Sequence, residues 1–236
     1  MRIVLVDERI SEKIERSLLK AGLQPVRLPK DSCLGEAVRS HPDTLLFHHE
    51  GQIITTADYC DGAAYIFSDI REYCPEVKIS FTADLRGPKY PLDCSMNALV
   101  IGDKIFCNTM TVSEGIKEYA RSSGLQLVHT NQGYPACVTL TFGGRAITSD
   151  EGIACRLREK GVETLLISQG HISLPPHEYG FIGGASLVYD NRVCFFGNID
   201  LHPDAERIKA FIREADFDAI SLSDEKLTDF GGGILL

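Results

Sequence analysis

One pattern occurs five times along this chain of 236 residues: a short helix, a chain-breaking residue and then a strand. The five copies cover residues 11–28, 63–81, 113–129, 150–167 and 203–222. Four copies follow a segment with two apolar-patterned runs around a tight turn, at Glu50-Gly51, Gly102-Asp103, Gly143-Gly144 and Asp190-Asn191. Such pairs adopt the positive φ angles of hairpin turns, so the pattern predicts a repeated unit of strand, strand, helix and strand.

Residues suited to capping occupy the ends of three predicted helices. The N-terminal ones are Ser11, Ser113 and Asp150, and the C-terminal ones are Gly22, Gly124 and Gly161. A side-chain oxygen at the first position accepts a free backbone N–H, and glycine at the last adopts a left-handed conformation. Because each glycine is followed closely by a strand, we expect every helix to fold back along its own hairpin.

The first copy lacks a preceding hairpin, and the missing strands lie at the two ends of the chain. Residues 2–7 (RIVLVD) form a strand directly before the first helix, and residues 231–236 (GGGILL) align with residues 183–188 (GGASLV). We therefore predict that residues 234–236 pair with residues 2–7. This predicts an α/β fold, a closed five-bladed propeller with one unit split between the termini, as a single domain over residues 1–236.

Composition excludes several classes of protein. The chain has 33 acidic and 24 basic residues, a net charge of −9 and no basic cluster, so nucleic acid is not an expected partner. No apolar run reaches 18 residues, and Asp7 interrupts the first apolar segment, so neither a membrane span nor a signal peptide is expected. Eight scattered cysteines indicate free thiols in a reducing compartment, which predicts a cytoplasmic protein.

No motif indicates a cofactor or a metal ion. His48 and His49 are adjacent on a predicted strand, so their side chains point to opposite faces and do not share a metal. The pair Gly143-Gly144 is not followed by the Lys and Ser or Thr of a phosphate-binding loop. The sequence therefore predicts no cofactor and no metal site.

The five units, the split copy and two glycine-rich segments, residues 180–184 (GFIGG) and 229–233 (DFGGG), resemble the pentein fold. This is the fold of the guanidino-group-modifying enzyme superfamily, and within it the chain is most similar to uncharacterised bacterial members. The resemblance implies a site at the centre of the ring, where a cysteine attacks the guanidinium carbon. It also implies a histidine acid and base and carboxylates that hold the cation.

Three departures from that pattern argue against the standard chemistry. The nucleophilic cysteine is expected shortly after the last glycine-rich turn, but residues 233–236 read Gly-Ile-Leu-Leu. His171 matches a Gly-His-x-Asp segment of the enzymes, yet Ser173 occupies the position of the aspartate. Residues 182–185 lack both polar ends of the corresponding enzyme segment. The chain is therefore predicted to be a diverged member, and these departures favour a pseudoenzyme over a deiminase- or amidinotransferase-like hydrolase.

Another cysteine remains an alternative nucleophile. Cys137 and Cys94 both lie in connections that lead into the first strand of a unit, and the resemblance places these connections at the central axis. A thiolate there would be activated by His171 or His129. The competing interpretation is that both cysteines are packed thiols.

Polar loops follow the last strands of the units, and symmetry predicts that they meet at one end of the ring. The candidate ligand-binding residues are Asp84, His129, Asn131, His171, Ser173 and Asp224. Two functions stay open. The first is a non-catalytic protein that binds a small polar, cationic molecule or a protein partner in the central channel; the oligomeric state is not predicted. The second is a guanidine- or amidine-directed hydrolase or amidinotransferase with a relocated cysteine.

Overall fold

The computed structural model describes residues 2–236, and within them it contains fifteen β-strands and eight α-helices. The strands are β1 (Arg2–Asp7), β2 (Leu23–Leu28), β3 (Phe47–His49), β4 (Gln52–Thr56), β5 (Lys78–Thr82), β6 (Leu99–Ile101), β7 (Lys104–Cys107), β8 (Gln126–His129), β9 (Thr139–Phe142), β10 (Arg145–Thr148), β11 (Thr164–Leu166), β12 (Ser186–Tyr189), β13 (Arg192–Phe195), β14 (Asp218–Ser221) and β15 (Ile234–Leu235). The helices are α1 (Glu12–Lys20), α2 (Pro42–Leu45), α3 (Ala57–Gly62), α4 (Ala64–Tyr73), α5 (Glu114–Ser123), α6 (Pro135–Val138), α7 (Glu151–Glu159) and α8 (Ala205–Arg213).

The strands form five small mixed sheets of three strands each. Their orders are β15-β1-β2 (sheet I), β3-β4-β5 (sheet II), β6-β7-β8 (sheet III), β9-β10-β11 (sheet IV) and β12-β13-β14 (sheet V). In every sheet the first two strands are antiparallel, and the third strand is parallel to the second. The parallel pair needs a crossover connection, and a helical connection supplies it in each sheet.

The predicted pairing of the two chain ends is confirmed. Val4 lies opposite Leu235 and Leu5 opposite Ile234 in an antiparallel ladder. The N–H of Leu236 donates to the carbonyl oxygen of Ile3 at 2.9 Å. The last strand therefore supplies the first strand of sheet I, which the N-terminal sequence lacks.

Local signals account for many of the element ends. The Ser11 hydroxyl accepts the N–H of Ile14 and begins α1. Gly124 ends α5 in the left-handed conformation, with φ of 70°. The turn between β3 and β4 needs positive φ at both central residues, and Glu50 and Gly51 have 45° and 74°. Helix α3 was not predicted; the Thr56 hydroxyl caps its first turn.

Buried apolar side chains form five clusters, and each cluster contains residues from two sheets. Representative pairs are Leu5 with Ile53 (sheets I and II), Ile54 with Ile105 (II and III), Phe106 with Ala146 (III and IV), Ile147 with Val193 (IV and V), and Val4 with Leu187 (I and V). Every sheet therefore buries its two faces against two different neighbours, which a single three-stranded unit could not do.

The first strands of the sheets border one shared channel of about 400 Å³, which is lined by residues of β3, β6, β9, β12 and β15. The third strand of each sheet lies at its opposite edge, and the residues of β5 and β14 are largely exposed. Each connection between two sheets starts after a third strand, at an outer edge, and ends before a first strand, so its last residues lie near the channel. Among residues 2–236, no helix has both the length and the apolar character needed to cross a bilayer.

Candidate functional site

A cluster of buried polar side chains lies at one end of the channel, where four segments lead into first strands. Its residues are His41 and Asp43 before β3, Asn97 before β6, Cys137 before β9, and Asp229 before β15. His41 is fully buried, and Asp229 and Cys137 expose only 1% and 5% of their surface. We call these five residues the central cluster.

Two one-turn helices and a backbone hydrogen bond between two distant segments position the central cluster. Pro42 begins α2 and Pro135 begins α6, where the missing N–H of proline costs no helical hydrogen bond. The Asp229 N–H donates to the carbonyl oxygen of Ser173 at 2.9 Å. Each element is too short to be stable alone, so the surrounding sheets determine where these side chains lie.

Two glycines allow the segments to approach one another closely. A Cβ atom at Gly184 would lie 1.9 Å from Oδ1 of Asp229, and one at Gly231 would lie 2.3 Å from the Cβ of His41. Gly231 also has a φ of 70°. Because glycine has no Cβ atom, Gly184 and Gly231, in segments 180–184 and 229–233, make room for the central cluster.

Asp229 is the most highly bonded member of the central cluster. Its Oδ2 accepts the N–H of Phe181 at 2.9 Å and the thiol of Cys137 at 3.3 Å. Its Oδ1 accepts the N–H of Gly231 at 3.0 Å. These bonds fix the carboxylate beside the sulfur atom.

The negative charge of the central cluster has little compensation. Asp7, which lies beside His41, is neutralised by Arg9 through contacts of 2.9 and 2.6 Å to its two oxygens. Within residues 2–236, no Lys or Arg nitrogen lies within 4 Å of the carboxylates of Asp43 or Asp229. Buried carboxylates without a counter-charge are costly, so the cluster favours the arrival of a cation.

Burial controls the protonation of the central cluster. Burial, and then the nearby charges of Asp229 and Asp43, raise the pKa of Cys137 well above its usual range. Burial and Asp229 likewise raise the pKa of Asp43. Burial lowers the pKa of His41, although Asp229 and Asp7 oppose that effect. At neutral pH the thiol is consequently protonated and the imidazole neutral, and a bound positive charge would favour the thiolate.

A cleft of about 670 Å³ leads from the surface to Cys137. Aromatic side chains form part of its wall, and the rings of Tyr90 and Tyr134 lie 6.3 Å apart. Its charged lining residues are three carboxylates and one ammonium group, from Glu36, Asp93, Glu178 and Lys89. The charge and the aromatic rings both suit a small organic cation.

The structure places Cys137 in the central cluster but separates it from the histidines that the sequence proposed as its partners. His171 is exposed and stacks edge-on against His202, with ring centroids 5.4 Å apart. His129 is exposed, and its Nδ1 lies 2.8 Å from the hydroxyl of Thr109. The histidine next to Cys137 is His41, and not His171 or His129 as the sequence indicated.

The predicted ligand-binding residues do not meet at one site, because the loops that contain most of them follow third strands at the outer edges of the sheets. Asp84 accepts hydrogen bonds from Thr82 and Ser113 beside the start of α5. Asp224 is exposed and paired with Lys13 at 2.9 Å. His129 and Asn131 line a separate cleft of about 510 Å³.

Two further sequence candidates have structural contacts. The backbone of Ser173 holds Asp229, as described above, and pairs with Thr228 in an isolated bridge. Cys94 is buried, and its sulfur lies 3.4 Å from the carbonyl oxygen of Pro91, outside the central cluster. The two cysteines weighed as alternative nucleophiles thus have different surroundings.

The candidates indicated by the sequence did not include His41, Asp43, Asn97 or Asp229. A usable signal was present, because each precedes a first strand by a few residues, as Cys137 does. The resemblance to penteins implied that these connections face a central axis; Cys137 follows Ala136, which lines the channel, and itself lines the 670 Å³ cleft. Asp229 begins the glycine-rich segment 229–233, for which the sequence indicated no role beyond the resemblance in fold.

Comparison with known proteins supports the fold. A family model described as "Family of unknown function (DUF6873)" matches residues 5–235. No curated protein matches the chain by sequence.

Several solved structures are similar to the whole chain. A mutant of DDAH from Pseudomonas aeruginosa, in complex with citrulline, matches with a TM-score of 0.58 and 10% identity over 94% of this chain and 92% of that chain. An amidinotransferase of the saxitoxin pathway from Microseira wollei has a TM-score of 0.56 and 14% identity, over 93% and 76% of the two chains. The inosamine-phosphate amidinotransferase of Streptomyces griseus has 0.52 and 12%, over 95% and 78%. At these identities the similarity shows the fold alone, and it confirms the expected pentein-like α/β fold.

Proposed function

We propose that this chain, which belongs to the DUF6873 family, binds a small organic cation of the guanidinium or amidinium class in the cleft above Cys137, without chemical change to it. Asp93 provides the observation that carries this proposal. Its side chain is buried in the cleft wall, and its Oδ1 has no hydrogen-bond partner. A ligand cation would supply both the missing donor and the missing charge.

The surroundings of Asp93 favour a flat, delocalised cation. Tyr90 and Tyr134 lie beside it in the cleft wall. Burial, followed by the neighbouring Asp93 carboxylate, raises the pKa of Tyr134, so its hydroxyl remains neutral. A guanidinium group stacks on aromatic rings and donates several hydrogen bonds in one plane, whereas an ammonium group does not.

We also propose that the chain folds as a single domain over residues 1–236 and forms a closed propeller. The apolar clusters support closure, because they join sheets I to II, II to III, III to IV, IV to V and V to I. The first strands would then surround one axis, with the central cluster at one end of it. The eight cysteines, none of which is in a disulfide within the described residues, suit a reducing compartment, and we propose the cytoplasm.

A matched pair of ligands tests the role of charge. We expect L-arginine and agmatine to bind in isothermal titration calorimetry, and L-citrulline, in which a neutral group replaces the guanidinium, to bind at least about tenfold more weakly. Asp93→Asn should weaken arginine binding by about 10–100-fold, because it removes a hydrogen bond to a charged group. Asp224→Asn, at an exposed carboxylate outside the cleft, should leave it unchanged. Equal binding of citrulline and arginine, or an unaffected Asp93→Asn variant, would refute the proposal.

A second function is favoured by one observation: donor atoms of His41, Cys137 and Asp229 lie within 4.8 Å of one another. In this alternative, the Cys137 proton moves to His41, and the thiolate attacks the amidine carbon. The leaving amine then takes the proton from His41, and water releases the product and restores the thiol. The pentein-fold neighbours include amidinotransferases by name, so this chemistry has precedent in the fold.

Alkylation separates the two functions. In the catalytic alternative, iodoacetamide at neutral pH modifies Cys137 selectively when compared with Cys107, and arginine or agmatine protects it. Burial raises the pKa of Cys107 to about 11, which makes this thiol a suitable unreactive reference. Slow alkylation of both thiols, together with no release of ammonia from arginine or agmatine, is the result expected of a binding protein.

A further inference from the structure

The imidazole ring of His41 is buried without a hydrogen bond to either of its nitrogen atoms. Neither Nδ1 nor Nε2 has a partner, although the side chain is fully buried. Its Nδ1 lies 3.8 Å from Oδ1 of Asp229 and 3.9 Å from Oδ1 of Asp43. These distances exceed the roughly 2.7–3.2 Å of a hydrogen bond, and a fully buried imidazole without partners is costly.

The same distances match those between atoms that share one metal ion. Ligand atoms about 2.0–2.3 Å from a tetrahedral zinc ion lie roughly 3.3–3.8 Å from one another. The Cys137 sulfur is 3.3 Å from Oδ2 of Asp229, and the His41 nitrogen is 3.8 Å from Oδ1 of the same carboxylate. These two distances run to different oxygens of Asp229, but one donor atom from each of the three residues lies within 4.8 Å of the other two. Small side-chain movements would therefore bring the three donors around one ion.

We propose that His41, Cys137 and Asp229 bind a divalent transition-metal ion of the zinc class. The donor set supports the class of metal, since thiolate and imidazole favour zinc over magnesium or calcium. The charge of the ion would compensate the two buried carboxylates. Cys137 would lose its proton on binding, which explains a thiol placed among carboxylates.

The outer surroundings also fit a metal-binding histidine. A histidine ligand commonly directs its second nitrogen towards a carboxylate, which fixes the orientation of the ring. The His41 Nε2 lies 3.8 Å from Oδ2 of Asp7, and Arg9 holds this carboxylate in place. The 670 Å³ cleft reaches Cys137 and offers a path of entry. The sequence predicted no metal site because its ligands are far apart along the chain.

The metal site does not depend on the proposed binding of an organic cation. Asp93 lies in the cleft wall and is not among the proposed ligands, whereas Cys137 lies at the inner end of the cleft. We therefore expect Asp93→Asn to weaken the binding of arginine but to keep the metal. If arginine does not bind and the metal does, only the proposed function fails.

Titration of the chelator-treated full-length chain with ZnCl₂ and CoCl₂, with a thiol-free reductant present, tests the metal site. We expect one ion per chain, a rise in melting temperature, and a thiolate-to-cobalt charge-transfer band in the near ultraviolet. Cys137→Ser should remove that band and weaken zinc binding by more than about 100-fold, since even outer partners of a metal site change affinity by 10–100-fold. Cys155→Ser, at an exposed thiol outside the central cluster, is the matched control and should change neither.

The wild-type spectrum remains decisive even if the Cys137→Ser variant fails to fold. Absence of bound metal after titration, or bound cobalt without a thiolate band, would overturn the proposal. So would a thiolate band that persists in Cys137→Ser and disappears in Cys155→Ser, because that would assign the metal to a surface thiol.

Discussion

Replacing Gly184 with alanine should strongly destabilise the protein and displace the carboxylate of Asp229. The new Cβ would lie 1.9 Å from Oδ1 and 2.5 Å from Cγ of Asp229, far inside the usual contact distance. The backbone has little room to retreat, because the N–H of Gly184 donates to the carbonyl oxygen of Cys137 at 2.9 Å. Its own carbonyl oxygen accepts the N–H groups of Phe230 and Gly232 at 2.9 and 2.8 Å.

Two costs add up in the Gly184→Ala variant. Forcing an extra methyl group into a packed site costs about 1–3 kcal/mol. Asp229 also has to move, and its carboxylate then loses hydrogen bonds to a charged acceptor, each with a contribution of about 1.5–3 kcal/mol. We expect a total of about 3–5 kcal/mol in the free energy of unfolding. For a chain of this size, that corresponds to a melting temperature lower by roughly 6–20 °C.

Gly62→Ala is the matched control with the opposite expected sign. Gly62 is exposed at the end of α3, and a Cβ atom there would have nothing within 4 Å. Alanine reduces the freedom of the unfolded chain and should stabilise the protein by about 0.4–1 kcal/mol. Urea unfolding followed by circular dichroism measures both variants. A Gly184→Ala variant within about 1 kcal/mol of the wild type would refute the packing argument, since the clash would then be relieved at little cost.

Two further predictions concern buried charge. Burial and the adjacent His49 lower the pKa of His48 from 6.5 to about 4, so the unfolded chain binds a proton that the folded chain excludes between these values. The free energy of unfolding should therefore decline as the pH falls from 6.5 to 4, and this residue contributes at most about 1.4 kcal/mol per pH unit to the decline. In urea titrations, His48→Gln should flatten the dependence of stability on pH. An unchanged slope in this variant would contradict the prediction. Arg86 and Asp31 form a buried pair at 2.8 Å, with 5% and 9% of their side chains exposed. Arg86→Met alone should cost about 3–5 kcal/mol, and adding Asp31→Asn should recover most of it, whereas additive losses in the double variant would contradict the pairing.

The elements of the fold were predictable because their signals are local. The Asp150 side chain accepts the N–H of Ile153 and caps α7, as its position in the sequence indicated. The turn at Gly143-Gly144 has positive φ at both residues, 52° and 76°, as a hairpin requires. Helix periodicity, capping and turn geometry all act over a few residues, so the sequence shows them directly.

The pairing of the chain ends was also predictable, although it is the most distant strand contact. Residues 231–236 resemble the start of the last unit, and the first unit lacks that strand. Comparison between copies thus replaced the missing local signal. Helix α3 has no α-helical counterpart in the other units, and only a 3₁₀ turn at Ile199–Leu201 occupies the same place in sheet V, which is why that comparison did not reveal it.

The composition of the site was decided by tertiary structure. The sequence identified Cys137 and the connections that lead into first strands, but it assigned the histidine to His171 or His129. Their loops follow third strands, which lie at the outer edges of the sheets, whereas His41 precedes a first strand at the channel. Which strand is inner and which is outer depends on how the sheets pack against one another.

The sequence by itself determined the units, their order and the completion of the first sheet by the last strand, because these follow from short-range patterns and from self-comparison. Only the tertiary structure brought His41, Cys137 and Asp229 together and left the buried imidazole without a hydrogen bond. Desolvation and the distances between side chains from different sheets arise when those sheets pack. No local pattern of residues encodes them.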